Sequence, residues 1–415
     1  MNRTKIKQEW IWELSIILVN IFVFFGYLIP QRSAFLLITS GTFFLLYILF
    51  NKKIYKKVIM QNTIWLFVLF FLCIQLLYTI GFDLSLKFIM TFGATLLIKI
   101  VYESLEYDLP NFDWKNKILK YSLLFSGIHV ICTLLYNFYP DFIINLNKAI
   151  LNSRAYGNNL LQQWQGLNPG IADDYGFNAF CNLMFCGLMI TKVLINKKIK
   201  IFDIILLIAS IISLIIIGKR GHLLCLAVGA IICFLIAFNK MPLKKRITIV
   251  VGVILIGFAT YYVALQIPAT EILIKRLEQS QTTSGMLNGR EGIYNFEINK
   301  FNENMFLGIG IRGLLSLGAG DGHNIYLQLL CETGIICALF IFFQLLYYYI
   351  KSFKIYYKNV KYRKLFMYSI FVQTFFLVNG ITENTFFVES ILIYYLLITS
   401  FNNFKEVENY EKKNV

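Results

Sequence analysis

Hydrophobic residues in this chain run in long unbroken blocks, not in the alternation of a half-buried strand. The blocks lie near 10–30, 34–50, 63–81, 84–102, 118–138, 175–195, 201–217, 221–238, 247–266, 324–350, 364–380 and 385–402. Most hold about 18–22 residues, the length a helix needs to cross about 30 Å of hydrocarbon. The alternating segments of about ten residues that mark an outer-membrane barrel are absent. The pattern predicts about 12 transmembrane helices. Two hydrophilic stretches interrupt it, 139–174 and 267–323.

Composition agrees with this reading. The chain is 58% hydrophobic and 15% charged, whereas soluble domains sit near 45–50% and about 25%. A soluble fold of 415 residues could not hide so much apolar surface, so the bilayer is its solvent. Six prolines leave long helices uninterrupted. The start, MNRTKIKQ, leads into an apolar run from Trp10 to Ile29 that is too long for a signal peptide and has no small-residue cleavage site after it. It is predicted to remain as the first helix.

A net charge of +16 would suggest nucleic acid in a soluble protein. Here the charge reads as topology, and nucleic acid is not expected as a partner. With the N-terminus inside, about 27 of the 39 Lys and Arg fall on the cytoplasmic side. The positive-inside rule therefore predicts a multi-pass protein of the cytoplasmic membrane with both termini cytoplasmic. Residues 1–138 then hold helices one to five, 139–174 an outer loop, and 175–266 helices six to nine. A large outer loop follows at 267–323, between spans nine and ten, then three helices in 324–402 and a cytoplasmic tail at 403–415. The eight cysteines all fall in apolar stretches without C-x-x-C spacing. They read as small apolar residues, not as disulfides or zinc ligands.

About ten cations face outward against the bias. Lys219 and Arg220 lie in a loop of about four residues, in IIIGKRGHLL, at the start of an inward-running helix. Such helix ends attract anions, and an Arg fork suits phosphate oxygens. A snorkelling pair that anchors the helix end is the competing reading. His323 lies where the large loop meets the tenth span, with Asn324 or Asp321 as cap. An imidazole suits proton transfer near neutral pH, and one that only hydrogen-bonds the loop is the alternative. His222 lies beside Arg220, and His129 is mid-span, where it is expected to pack inside the bundle. Asp173 and Asp174 could hold a divalent metal or simply be solvated. Among the spans the main charged residues are Lys87, Glu332 and Glu389, few for a transporter interior.

Three marks occur in order. GKRGHLLCLAVGAIICFLIA resembles an S-R-G followed by an apolar helix. NGREGIYNFEINKFNENMFLGIGIRG resembles an S-G-R, helix, then G-x-G stretch. HNIYLQLLCETG has His323 and Asn324, nine residues, then Gly334. Together, over about 205–345, they resemble the O-antigen ligase and Wzy polysaccharide polymerase superfamily. Lys219 replaces the usual Ser, Met305 stands where a Pro is common, and Cys337 replaces a closing Gly.

The resemblance implies an all-α integral membrane protein with a GT-C-like fold. It further implies a glycosyltransferase, metal-independent and inverting, that needs no cofactor. Donor and acceptor would be oligosaccharides linked to polyprenyl (undecaprenyl) diphosphate at the outer face of the membrane. A flippase and a chain-length regulator are the partners such an enzyme would work beside. The leading expectation is a repeat-unit polymerase for a capsular or O-antigen-type polysaccharide. A ligase to another acceptor is the runner-up, and a transporter of lipid-linked sugars or anions is the different-class alternative. Arg220 and Arg290 would stabilise the leaving diphosphate and His323 would serve as base, with Lys219, Arg276, Arg312 and Asn324 as substrate-binding candidates.

Overall fold

The computed structural model describes residues 3–51, 54–196, 198–266 and 290–402. It is all-helical over these residues. In chain order the helices are α1 (Arg3–Phe25), α2 (Arg32–Asn51), α3 (Lys56–Gln61), α4 (Thr63–Gln75), α5 (Phe82–Asp108), α6 (Trp114–Phe138), α7 (Pro140–Ile150), α8 (Ser153–Trp164) and α9 (Tyr175–Ile195). They continue with α10 (Ile201–Ile217), α11 (Arg220–Phe238), α12 (Leu243–Gln266), α13 (Glu291–Glu303), α14 (Gly313–Ser316), α15 (Ile325–Lys358), α16 (Arg363–Asn379) and α17 (Glu389–Thr399). Every one of the twelve apolar blocks is helical. Seven helices among the described residues are long and apolar enough to cross a membrane, and α4 and α10 are shorter apolar helices. The protein is therefore a multi-pass membrane protein.

Two compact units are built from these helices. Unit one comprises Met1–Ile118, Gly289–Ser369 and Phe376–Val415. There α5 packs on α2, α4 and α17, and α15 packs on α4 and α13. Its core is aromatic. Trp12 lies 6.0 Å from Tyr47, Trp65 lies 5.8 Å from Phe92, and Tyr102 stacks 5.7 Å from Trp114, ring centre to ring centre. A fully buried ion pair, Lys99 with Glu103 one turn on, sits on α5. Asn62 donates to the other Glu103 oxygen at 2.5 Å, and the Lys99 ammonium lies 5.3 Å over the Tyr348 ring. Lys99 joins Lys87, Glu332 and Glu389 as charge within the apolar blocks, with Glu103 just past the block's end. The two partners satisfy one another, as a charge in hydrocarbon requires.

Unit two comprises Leu119–Asn288 and Ile370–Phe375. Helix α9 packs on α10 and α11. Phe371, from the short contribution of α16, lies against Gly187 of α9 and Gly229 of α11. A Cβ at either glycine would come within 2.3 Å or 2.8 Å of its ring. Small residues thus let bulky rings seat against helix backbone. The stretch 139–174 holds two helices, where hydrophilicity alone suggested a loop. Pro140 starts α7 from the first turn, where its missing N–H costs nothing. Asn152 caps α8 by accepting from the Ala155 amide at 2.9 Å. Buried asparagines tie these helices to each other and to the segment before α9. Asn147 donates to Asn159 and to the Gly170 carbonyl, and Asn159 donates to the Ala172 carbonyl. All eight cysteines are free, and six are buried.

Candidate functional site

Helix α15 is where the segment 304–323 of unit one is fastened. At Gly334 its backbone leaves the helix, with φ +69° and ψ +170°, a conformation almost confined to glycine. The break frees backbone groups, and the segment after α13 takes them up. Ile309 N donates to Cys331 O, Gly310 N to Glu332 O, and Ile335 N to Met305 O, at 2.8–3.1 Å. The two chains run so close that a Cβ on Gly308 would lie 2.4 Å from Glu332 O, and one on Gly334 would lie 2.2 Å from Phe306 O. At Met305 the structure uses the carbonyl, which proline also has; the departure from Pro leaves this contact intact.

The Glu332 side chain completes the fastening. Its carboxylate accepts from Arg312 N at 2.6 Å, Leu314 N at 3.3 Å and Gln328 Nε2 at 3.0 Å. Gln75 of α4 reaches the same place, donating to the Leu307 and Glu332 carbonyls and accepting from Ile311 N. The G-x-G stretch therefore wraps a buried carboxylate, and Arg312, at φ +62°, follows it. Beside it Glu297 of α13 is fully buried, with no hydrogen-bond partner for either side-chain oxygen among the described residues. Burial, and then the nearby Glu332 charge, push its carboxyl up to about 8.

Past this turn the chain reaches His323, whose φ of +54° is unusual for any residue but glycine. Asn324 caps α15, its Oδ1 accepting from Tyr326 N and Leu327 N at 3.0 and 3.2 Å. Asp321 instead pairs with Arg312 at 3.0 Å. His323 is held by its backbone, whose N–H donates to Asn384 Oδ1 at 2.6 Å. Its imidazole Nδ1 lies 3.5 Å from Glu383 Oε2, within ion-pair reach but longer than a formed hydrogen bond. The other Glu383 oxygen lies 3.8 Å from Arg290 Nη2, and Arg290 Nη1 donates to the Thr382 carbonyl at 2.6 Å. Arg290 and His323 thus share one carboxylate. The Arg312 guanidinium lies 5.4 Å over the Phe387 ring of the same turn.

That turn, 380–388, is rigidly held. Ile325 N donates to Gly380 O at 2.8 Å. Phe386 and Phe387 pack 5.8 and 5.6 Å from Phe88 of α5. Glu389, next in the chain, pairs with Arg32 at 3.3 Å. Neither Glu383 nor Asn384 stands out in sequence. The signal that could have found them is a polar pair, Glu-Asn, in a short gap between two apolar blocks. Arg290, Arg312 and His323 all reach this turn. Arg276 lies outside the described residues.

Lys219 and Arg220 belong to unit two. Gly218, at φ +71°, ends α10, Lys219 is the N-cap of α11 and Arg220 its first residue. The connection is tighter than the spacing suggested. The Lys219 ammonium lies 4.8 Å over the Tyr175 ring, and Arg220 is half-buried. His222 is buried 5.6 Å from the Phe375 ring. His129 packs inside the bundle, its Nδ1 3.3 Å from Asn178 Oδ1. Asp174 caps α9, accepting from Gly176 N and Phe177 N, and its other oxygen accepts from Gln162.

What unit one presents is a fork of positive charge and an imidazole, both leaning on one acid and partly exposed. Such a set can bind an anion and take a proton from a hydroxyl. Residues 205–343 match the family model Wzy_C, described as O-antigen ligase. The match contains Lys219, Arg220, Arg290, Arg312, His323 and Asn324, and stops short of Glu383. No curated protein matches the chain.

Proposed function

We propose, on the match of residues 205–343 to the O-antigen ligase family model, that the chain is a membrane glycosyltransferase lengthening a capsular or O-antigen-type polysaccharide by repeat units. The observation that carries this is the meeting of Arg290 and His323 on Glu383, at the start of a long spanning helix. The donor is a glycan on a polyprenyl diphosphate and the acceptor is a second lipid-linked glycan. His323 accepts the proton of the acceptor hydroxyl as its oxygen forms the new bond to the anomeric carbon. The bond from that carbon to the diphosphate breaks, and the electron pair leaves with the diphosphate. Arg290 meets the charge that develops, an effect often worth about 3–4 kcal/mol per donor. General-base help adds roughly 10²–10⁴-fold. Arg312 holds the donor headgroup, while Asn324 keeps the helix start in place. A single displacement of this kind inverts the anomeric centre and calls for no metal.

The reaction takes place at the outer face of the cytoplasmic membrane, with 267–323 outside, twelve spans and both termini in the cytoplasm. A flippase supplies the substrate and a chain-length regulator limits the product. The matched description itself favours one other reading, a ligase that moves finished glycan to a different acceptor. The glycan profile of a deletion strain separates the two. Polymerase loss collapses the ladder to one repeat unit, and ligase loss leaves an intact ladder on the carrier lipid. Purified protein that lengthens a lipid-linked glycan without an ion gradient excludes a carrier. Purified protein that only moves glycan across the bilayer overturns the proposal.

A further inference from the structure

We infer that Glu383 is a positioning residue that sets which nitrogen of His323 faces the substrate, an inference that rests on the transfer reading above. The geometry is asymmetric. The backbone of His323 is fixed by Asn384, while its side chain is 36% exposed and meets Glu383 only through Nδ1. A carboxylate beside Nδ1 favours the proton there and leaves the Nε2 lone pair free for an incoming hydroxyl. The 3.5 Å gap suits a site before substrate arrives, since such hydrogen bonds often tighten only on binding.

The same carboxylate is the resting partner of Arg290. A diphosphate that draws the guanidinium away removes one partner that competes with His323 for Glu383. Donor binding and orientation of the base are thereby linked through one side chain. Glu383 is well placed for this because its turn is anchored on both sides. Its own N–H donates to Asn379 O at 2.8 Å, and Phe386 and Phe387 are buried. The left-handed backbone at His323 fits the same account, since strain of this kind persists where the surroundings hold it.

The test uses full-length protein in lipid bilayers, labelled with ¹³C,¹⁵N-histidine. The chain has three histidines, and His323→Gln identifies the signal of interest. Wild type is expected to hold His323 mainly with the proton on Nδ1, and Glu383→Ala and Glu383→Asp, whose shorter carboxylate falls further from Nδ1, are both expected to give mixed tautomers. With a lipid-linked glycan as substrate, kcat falls roughly 10²-fold in Glu383→Ala and is not restored in Glu383→Asp. If Glu383 only supported the fold, thermal stability would fall in the alanine variant while the tautomer stayed put, which would overturn the inference. Mixed tautomers in the wild type would do so as well. The expected tautomers without glycan transfer in any assay would support the positioning role and count against the transfer reading instead.

Discussion

At the scale of single residues, chemistry concentrates where a buried or shared charge has few partners. His323→Ala and Arg290→Ala are each expected to cut glycan elongation by at least about 10²-fold at normal membrane abundance. Arg290→Lys should recover little, because an ammonium lacks the planar fork. Elongation rates in membranes with matched protein levels check both. Glu297 gives a pH prediction. Its carboxyl is pushed up to about 8 from an ordinary value of 4.5, so between these pH values the folded state holds a proton that the unfolded chain has lost. Stability contributed by this group therefore falls as pH rises toward about 8, and levels off above. Glu297→Gln should flatten that slope, as seen in unfolding midpoints in detergent between pH 6 and 9. Of the residues in this candidate site, Arg290 and Arg312 were legible because the positive-inside reading expects few cations between α12 and α15, and His323 because an imidazole stands just before the start of α15. Glu383 and Asn384 were not. Their importance lies in which distant groups they meet, and no local pattern encodes that.

Helices were legible almost to the residue where an apolar block alone defined them, as in α9 and α10. They were less so where tertiary contacts decide. Helix α4 stops at Gln75, short of the predicted 81, since Gln75 is drawn into hydrogen bonds with the segment at 307–311. Helix α15 runs on to Lys358, beyond the predicted 350. The pair α7 and α8 hid in a stretch too polar to read as helix, its order coming from caps and buried asparagines. The break in α15 could not be seen either, for Gly334 sits in an otherwise helical pattern. Gly334→Ala should cost about 1–3 kcal/mol for the backbone conformation alone, and more through the clash with Phe306. A drop in unfolding midpoint far beyond that of Asn324→Ala, whose lost cap costs about 1 kcal/mol, would be the expected result.

For the whole molecule, composition was decisive about the solvent, and the helical blocks followed from it. Orientation rests on the Lys and Arg bias alone and is directly testable. Alkaline phosphatase fused after Asn152 should be active, and a fusion after Lys240 inactive. The reverse pattern would turn the molecule over and place Arg290 and His323 in the cytosol. The buried Lys99–Glu103 pair bears on folding more than on transfer. Lys99→Met alone would strand a carboxylate inside the bundle, at about 3–5 kcal/mol, and poor membrane abundance is expected where Lys99→Met with Glu103→Leu is better tolerated.

The gap in α15 also bears on how freely this region can drift in sequence. Three of the links between the segment 305–310 and the long helix run from main chain to main chain, so they read no side chain at Met305, Ile309 or Ile335. Substitutions other than proline keep these donors and acceptors, while the glycines beside them have no such licence. A segment fastened by its backbone can exchange exposed side chains, such as that of Met305, without loosening the seam, so relatives would vary there before they vary at Gly308 or Gly334.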